Sequence, residues 1–261
     1  MPAIHRPAAL VTGASRGIGA AIATALAARG VRVAVHYNVN RAGAEASLAQ
    51  LAGDGHAAVA ADLADGAAVA RLWQSESAAF GAIDILVNNA GIYFNHPPLG
   101  CDYLAWRAAW QQTLDTNLHG PANLSLLAAQ AMAARPAPLG RGFGRGRIVN
   151  ISSRGAFRGE PNSPAYAASK AGLNALSQSL AWALAPQQVY VYCLAPGWVE
   201  TGMATGNLAG PEGGAIRAQH PLGRVTQPQE VADAAVYCAL DAPPAMTGSI
   251  IDVNGASYLR T

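Results

Sequence analysis

Short apolar runs alternate along the chain with longer segments whose apolar residues return every three or four positions. The runs are AALV (8–11), VRVAVHY (31–37), HAAVAAD (56–62), IDILVNN (83–89), GRIVNIS (146–152), VYVYCLA (189–195) and SIIDV (249–253). Each has the length and near-continuous apolarity of a strand buried on both faces. Ala-rich periodic segments at 17–29, 41–52, 65–80, 103–134, 164–185 and 228–240 separate them and read as helices. This alternation predicts an α/β fold in which a parallel sheet is flanked by helices. No linker and no repeat of roughly 20–50 residues divides the chain, so residues 1–261 are expected to form one domain.

Composition narrows the function classes. Apolar residues make up 51% of the chain and charged residues 12%, enough for a large core. A net charge of +2 offers no basic surface for nucleic acid or an anionic membrane. No apolar stretch approaches the ~20 residues of a membrane helix, and residues 1–11 lack the long apolar segment of a signal peptide. Cys101, Cys193 and Cys238 are too few and too scattered for a disulfide framework, so a reducing cytoplasm is expected. The six histidines show no metal-ligand spacing, and no metal site is expected. One segment departs from the average: RPAPLGRGFGRGR (135–147) holds four arginines, four glycines and two prolines. It reads as a flexible loop, with a basic docking patch for an acidic partner as the sharper alternative.

The first strand runs into TGASRGIG (12–19), where Gly13, Gly17 and Gly19 mark a strand-to-helix turn. Glycine lets the backbone turn tightly and approach a pyrophosphate, and the helix N-terminus beyond it offers free N–H groups. The second strand ends VAVHYN, without the carboxylate that would bind the ribose 2′-hydroxyl of NAD. Arg16, Asn38 and Arg41 are candidates for a 2′-phosphate instead, so NADP(H) is expected over NAD(H).

Tyr166 and Lys170 stand four residues apart in a helical segment and therefore share a face. A neighbouring ammonium lowers a phenol's pKa and makes it a usable proton donor and acceptor. A hydroxyl at the preceding strand end, thirteen positions upstream at Ser153, can hold a carbonyl oxygen beside it. Ser152 is the competing hydroxyl.

TGASRGIG (12–19), NNAG (88–91), Asn117 in DTNLHG, Ser153, YAASK (166–170) and APGWVET (195–201), taken in order, resemble the short-chain dehydrogenase/reductase family over nearly the whole chain. The likeness is to its 3-oxoacyl-(acyl carrier protein) reductases in particular. It implies a doubly wound Rossmann-type sheet of seven parallel strands, a homotetramer, and a role for each matching residue. Tyr166 would give a proton to a ketone oxygen as hydride arrives from the nicotinamide. Lys170 would hold the nicotinamide ribose, Ser153 the substrate oxygen, and Asn117 a water linking Lys170 to solvent. Gly13, Ser15, Arg16, Gly17, Ile18, Gly19 and Asn38 would bind the cofactor's phosphates. Asp62 and Leu63 would border the adenine, Asn89, Ala90 and Gly91 the adenosine ribose, and Pro196, Gly197, Val199 and Thr201 the carboxamide. From the residues alone, Asp62 and Asp65 compete to cap the helix beginning near residue 64.

The chain departs from those reductases where they dock a carrier protein. Trp182 stands where an arginine is usual, and Gly144 where a second would lie, with Arg141 and Arg145 as neighbours. Carrier docking is therefore expected to be weak, with a small or thioester-activated ketone as substrate. The Gly-rich stretch 197–224 is expected to close over it, with Tyr93, Phe94, Arg154, Phe157, Trp198 and Met203 as candidate walls. Dehydrogenation of a secondary alcohol, sugar or polyol needs the same residues and is the alternative enzyme reading. A non-catalytic NADP(H)-sensing or scaffold protein is the alternative outside catalysis.

Overall fold

Seven strands form one all-parallel sheet in the order β3-β2-β1-β4-β5-β6-β7 in a computed structural model that describes residues 5–140 and 142–260. The strands are β1 (Ala8–Val11), β2 (Arg32–Tyr37), β3 (Ala57–Ala60), β4 (Ile85–Asn88), β5 (Gly146–Ile151), β6 (Val189–Pro196) and β7 (Ile250–Val253). All seven apolar runs become strands, and β1, β4 and β5 are buried at every position. Val11 pairs with Val35 of β2 on one side and Val87 of β4 on the other. Winding reverses at this β1/β4 boundary. The crevice beyond the carboxyl ends of these strands is where ligands of such sheets bind.

The longer helices are α1 (Gly17–Ala28), α2 (Arg41–Leu48), α3 (Gly66–Phe80), α4 (Tyr103–Leu114) and α5 (Gly120–Ala133). After β5 come α6 (Gly155–Arg158), α7 (Pro164–Leu184), α8 (Thr205–Ala209), α9 (Gly213–Ala218) and α10 (Pro228–Val236). Ile22, Ala23 and Leu26 of α1 and Val231, Ala232 and Ala235 of α10 pack on one face of the sheet. Val69 and Leu72 of α3, Leu124 and Ala128 of α5, and Ala181 of α7 pack on the other. Helix ends follow local chemistry. Asp65 caps α3 by accepting from the Ala67 N–H at 2.8 Å, while Asp62 accepts from Ala64 in the preceding turn. Pro164 starts α7, where its missing N–H costs nothing.

Two expectations change. The helix expected over 103–134 is broken by a π-helical turn at Asp115–His119, and α6, α8 and α9 form in segments too short to show a period. The arginines of the 135–147 loop are used internally. Arg135 donates to the carbonyls of Arg145 and Ile83, and Arg145 to that of Ala133. Arg147 is fully buried and donates to the carbonyls of Phe143, Gly142 and Cys238. A loop with no regular ladder needs partners for its carbonyls, and these guanidinium groups supply them. The flexible, patch-forming reading does not hold for these three; Arg141 lies outside the described residues.

Among the described residues no helix is long and apolar enough to cross a membrane. No cluster of three or more His, Cys, Asp or Glu side chains there could hold a metal ion.

Candidate active site

The turn leaving β1 is held open by hydrogen bonds to its neighbours. Gly13 and Gly17 adopt φ of 63° and 59°, the left-handed region that a side chain disfavours. A Cβ on Gly13 would lie 2.8 Å from the Ala90 Cα, and one on Gly19 would collide with the Gly13 carbonyl oxygen. Thr12 Oγ1 accepts from the N–H groups of Asn89 and Ala90, and Asn89 Nδ2 donates to the Thr12 oxygen at 2.8 Å. These bonds stitch the turn to the exit of β4. His36, at the end of β2, closes the third side. Its Nδ1 accepts from Gly13 N–H, so Nε2 carries the proton and donates to the Ala61 oxygen. Burial pushes the His36 imidazole down to about 4.

The chemical end is built from β5 and α7. Ser152 is buried, with its hydroxyl donating to the Lys170 carbonyl at 3.2 Å. Ser153 Oγ accepts from Gly155 N–H at 3.0 Å, which leaves its proton free to donate. Tyr166 and Lys170 stand one turn apart at the start of α7. Lys170 Nζ lies 5.8 Å from the centre of the Tyr166 ring and donates to the Ile151 oxygen at 2.8 Å. The expected lowering of the phenol is not met on balance in this geometry. Burial dominates and pushes Tyr166 up to about 12, while the Ser153 hydroxyl pulls in the opposite direction. Burial likewise pushes the Lys170 ammonium down to about 8.

A cavity of about 440 Å³ joins the two ends. Gly13, Ser15, Arg16, Gly17, Ile18, Asn38, Asp62, Leu63, Asn89, Ala90 and Gly91 line it on the side of the turn. Ser153, Tyr166, Lys170, Pro196, Gly197, Val199 and Thr201 line the remainder. Two predicted residues stand behind the wall. Gly19 works through the close approach of α1 to the turn. Asn117, on the π-helical turn, is buried with its amide already engaged. Its Oδ1 accepts from Ile92 N–H at 2.8 Å, and its Nδ2 donates to the Ile92 oxygen and to Ser169 Oγ. A Cβ on Gly91 would sit 3.4 Å from Asn117 Oδ1 and 3.5 Å from Lys170 Nζ, so both side chains flank that glycine.

Of the candidate walls, Tyr93, Arg154, Trp198 and Met203 line the cavity. Phe94 does not, and Phe157 instead stacks on Tyr258 beneath Arg260. Arg41 points away to pair with Glu45 at 2.8 Å, which leaves Arg16 and Asn38 at the phosphate end. Sequence reasoning passed over Glu160, which lines the cavity beside the catalytic candidates. Five residues separate it from Tyr166, and the turn at Pro161–Asn162 ahead of α7 brings the two to one cavity.

Seven parallel strands whose winding order reverses beside a glycine turn define an α/β dinucleotide-binding fold. A family model described as enoyl-(acyl carrier protein) reductase matches residues 13–256. The chain is 39% identical to the D-threitol dehydrogenase of Mycolicibacterium smegmatis, over 97% of this chain and 93% of the relative. It is 37% identical to the 3-oxoacyl-(acyl-carrier-protein) reductase of Escherichia coli, over 96% of this chain and 97% of the relative. The cis-4-hydroxycyclohexanecarboxylate dehydrogenase of Sinomonas cyclohexanicum is 36% identical over 95% and 94%. The chain belongs to the short-chain dehydrogenase/reductase family and is an oxidoreductase of carbonyl and alcohol groups. Membership implies a nicotinamide cofactor.

Proposed function

We propose that the protein is an NADPH-dependent reductase that converts a small ketone to a secondary alcohol, with Tyr166 as proton donor. The observation that supports this most directly is the meeting of Ser153, Tyr166 and Lys170 in a cavity continuous with the glycine turn. The cradle fits a dinucleotide: Gly13, Ser15, Arg16, Gly17 and Ile18 line the cavity where the turn leads into the N-terminus of α1, whose N–H groups suit a pyrophosphate. Gly13 to Ile18 would hold the pyrophosphate. Asp62 and Leu63 would border the adenine, and Asn89 to Gly91 its ribose. Pro196, Gly197, Val199 and Thr201 would hold the carboxamide. Arg16, with no acidic partner among the described residues, and Asn38 would take the 2′-phosphate.

Bound NADPH supplies the hydride. The chain does the rest. Ser153 donates its free O–H to the carbonyl oxygen and fixes it beside the phenol. Tyr166 is neutral throughout the physiological range and holds a proton for that oxygen. As the carbonyl carbon gains its new C–H bond, the oxygen takes the phenolic proton and the phenolate is left. The Lys170 ammonium stabilises that phenolate. Asn117 fixes the Ile92 backbone beside Lys170, where a water would return the proton from solvent.

Three unpaired cysteines support a cytoplasmic site of action. The chain acts as one NADP(H)-binding domain, and copies of it assemble as a homotetramer. Trp182 in place of a docking arginine, and an Arg145 engaged by Ala133, support weak dependence on a carrier protein.

NADPH consumption across a panel of ketones tests the reading, with NADH as the second cofactor. Tyr166→Phe is expected to lower turnover by roughly 10²- to 10⁴-fold, with the NADPH Kd changed less than about threefold. Unaltered turnover in that variant overturns the proton-donor role, and a tenfold preference for NADH overturns the cofactor assignment. Oxidation of a polyol by the same residues in reverse is the second reading, favoured by one observation, the carboxylate of Glu160.

A further inference from the structure

Glu160 brings a carboxylate into the cavity that holds Tyr166 and Ser153. Among the described residues nothing donates to it: its environment consists of burial, which favours the neutral acid, and the charges of Arg158 and Arg154, which oppose that. Neither arginine closes on it. Arg154 donates to the Gln219 Oε1 at 2.9 Å and to the Ser257 carbonyl, and Arg158 shares the same Gln219 oxygen. The carboxylate also has a seat made for it. A Cβ on Gly155 would lie 2.7 Å from Glu160 Oε1 and 2.9 Å from its Cγ, so a side chain there would push the carboxylate aside. Its charge reaches the phenols of Tyr166 and of Tyr93, whose rings meet edge-to-face at 5.0 Å.

The carboxylate oxygens keep contact with solvent, and a substrate that displaces this water must supply a donor in its place or leave the carboxylate unpaired. We propose that Glu160 determines specificity by accepting a hydrogen bond from a substrate hydroxyl, so that the substrate is a hydroxylated small ketone or, in reverse, its polyol. An acyl thioester would lay apolar surface against the carboxylate and leave it unpaired. A cationic substrate gains little, because Arg154 and Arg158 outnumber the single carboxylate. The inference rests on the reading that Ser153, Tyr166 and Lys170 act on a carbonyl.

The test compares kcat/KM for 1-hydroxybutan-2-one, butan-2-one and the N-acetylcysteamine thioester of 3-oxobutanoate, each with NADPH. The wild type should prefer the hydroxy ketone to both others. Glu160→Leu should cut that preference on the order of ten- to a hundredfold. Glu160→Gln, whose amide oxygen still accepts, should keep part of it. Gly155→Ala, which displaces the carboxylate without removing it, should lose it as Glu160→Leu does. NADPH binding reports whether each variant is folded. If Glu160→Leu does not fold, the Gln variant and Gly155→Ala still read the preference. A preference unchanged in the folded variants, or a wild type that favours the thioester, overturns the inference and leaves the reductase reading standing. No turnover of any of the three, with Tyr166→Phe indistinguishable from wild type, removes the reductase reading and the inference with it.

Discussion

Burial at Lys170 sets the pH at which the site can work. Its ammonium is pushed from the usual 10.5 down to about 8, while the Tyr166 phenol stays protonated up to about 12. Reduction needs both a phenol that holds its proton and a cation that stabilises the phenolate left behind. The first condition holds throughout the working range and the second fails above about pH 8. The kcat/KM for reduction should therefore fall as pH rises through about 8, and Lys170→Met should abolish that limb while lowering the rate at neutrality. A profile flat from pH 6 to 10 in the wild type would contradict the assignment. Tyr166 and Lys170 are legible in the sequence because helical geometry places i and i+4 on one face whatever surrounds them, and Ser153 because it is a hydroxyl just past the end of an apolar strand run. The sign of the Tyr166 shift is not legible, because it depends on how much water the fold leaves around the phenol. Glu160 is equally hidden: an acidic residue between an arginine-containing turn and a proline has no period to betray its direction.

At the scale of elements, His36 joins β2, the glycine turn and the residue after β3 through two hydrogen bonds that need a neutral imidazole. Unfolded, the ring takes its proton near pH 6.5; folded, only near 4. Between these values the unfolded chain binds more protons. The contribution is thus complete above about 6.5 and is lost as pH falls toward 4, by about 3 kcal/mol. Urea midpoints measured at pH 7 and pH 4.5 should drop less in His36→Gln than in the wild type, and equal drops would contradict this. The seven strands are legible because parallel strands buried on both faces leave unbroken apolar runs. The π-helical turn at Asp115–His119 is not legible, since one extra residue in a turn leaves the apolar period around it almost intact. That turn nonetheless gives Asn117 its contact with Ile92.

Across the molecule, apolar surface remains outside the core on neighbouring helices. Trp182 on α7 is 89% exposed, Tyr103 and Leu104 on α4 are each 73% exposed, and Leu126 on α5 is 55% exposed. Surface of this kind, with aromatic anchors, is what an interface between copies buries. If copies assemble as the proposed homotetramer, Trp182→Asp should reduce the assembled mass in light scattering to that of a smaller species. An unchanged mass would remove Trp182 from the interface. The arginines of the 135–147 loop mark the limit of a compositional argument at this scale. Their number suggests a basic patch, yet three of them are held by backbone carbonyls that only the folded loop brings within reach.

The order of apolar runs and helical periods is enough to specify the α/β alternation, the glycine turn and the spacing of Ser153, Tyr166 and Lys170. These are local patterns, set by backbone geometry over a few residues. The tertiary structure alone decided that Asn117 stands behind the cavity wall and that Arg41 turns away to Glu45. It also decided that burial outweighs the Ser153 hydrogen bond at Tyr166, and that Glu160 reaches the cavity beside it. Each of these depends on solvent exclusion or on contacts between distant segments, which no local pattern encodes.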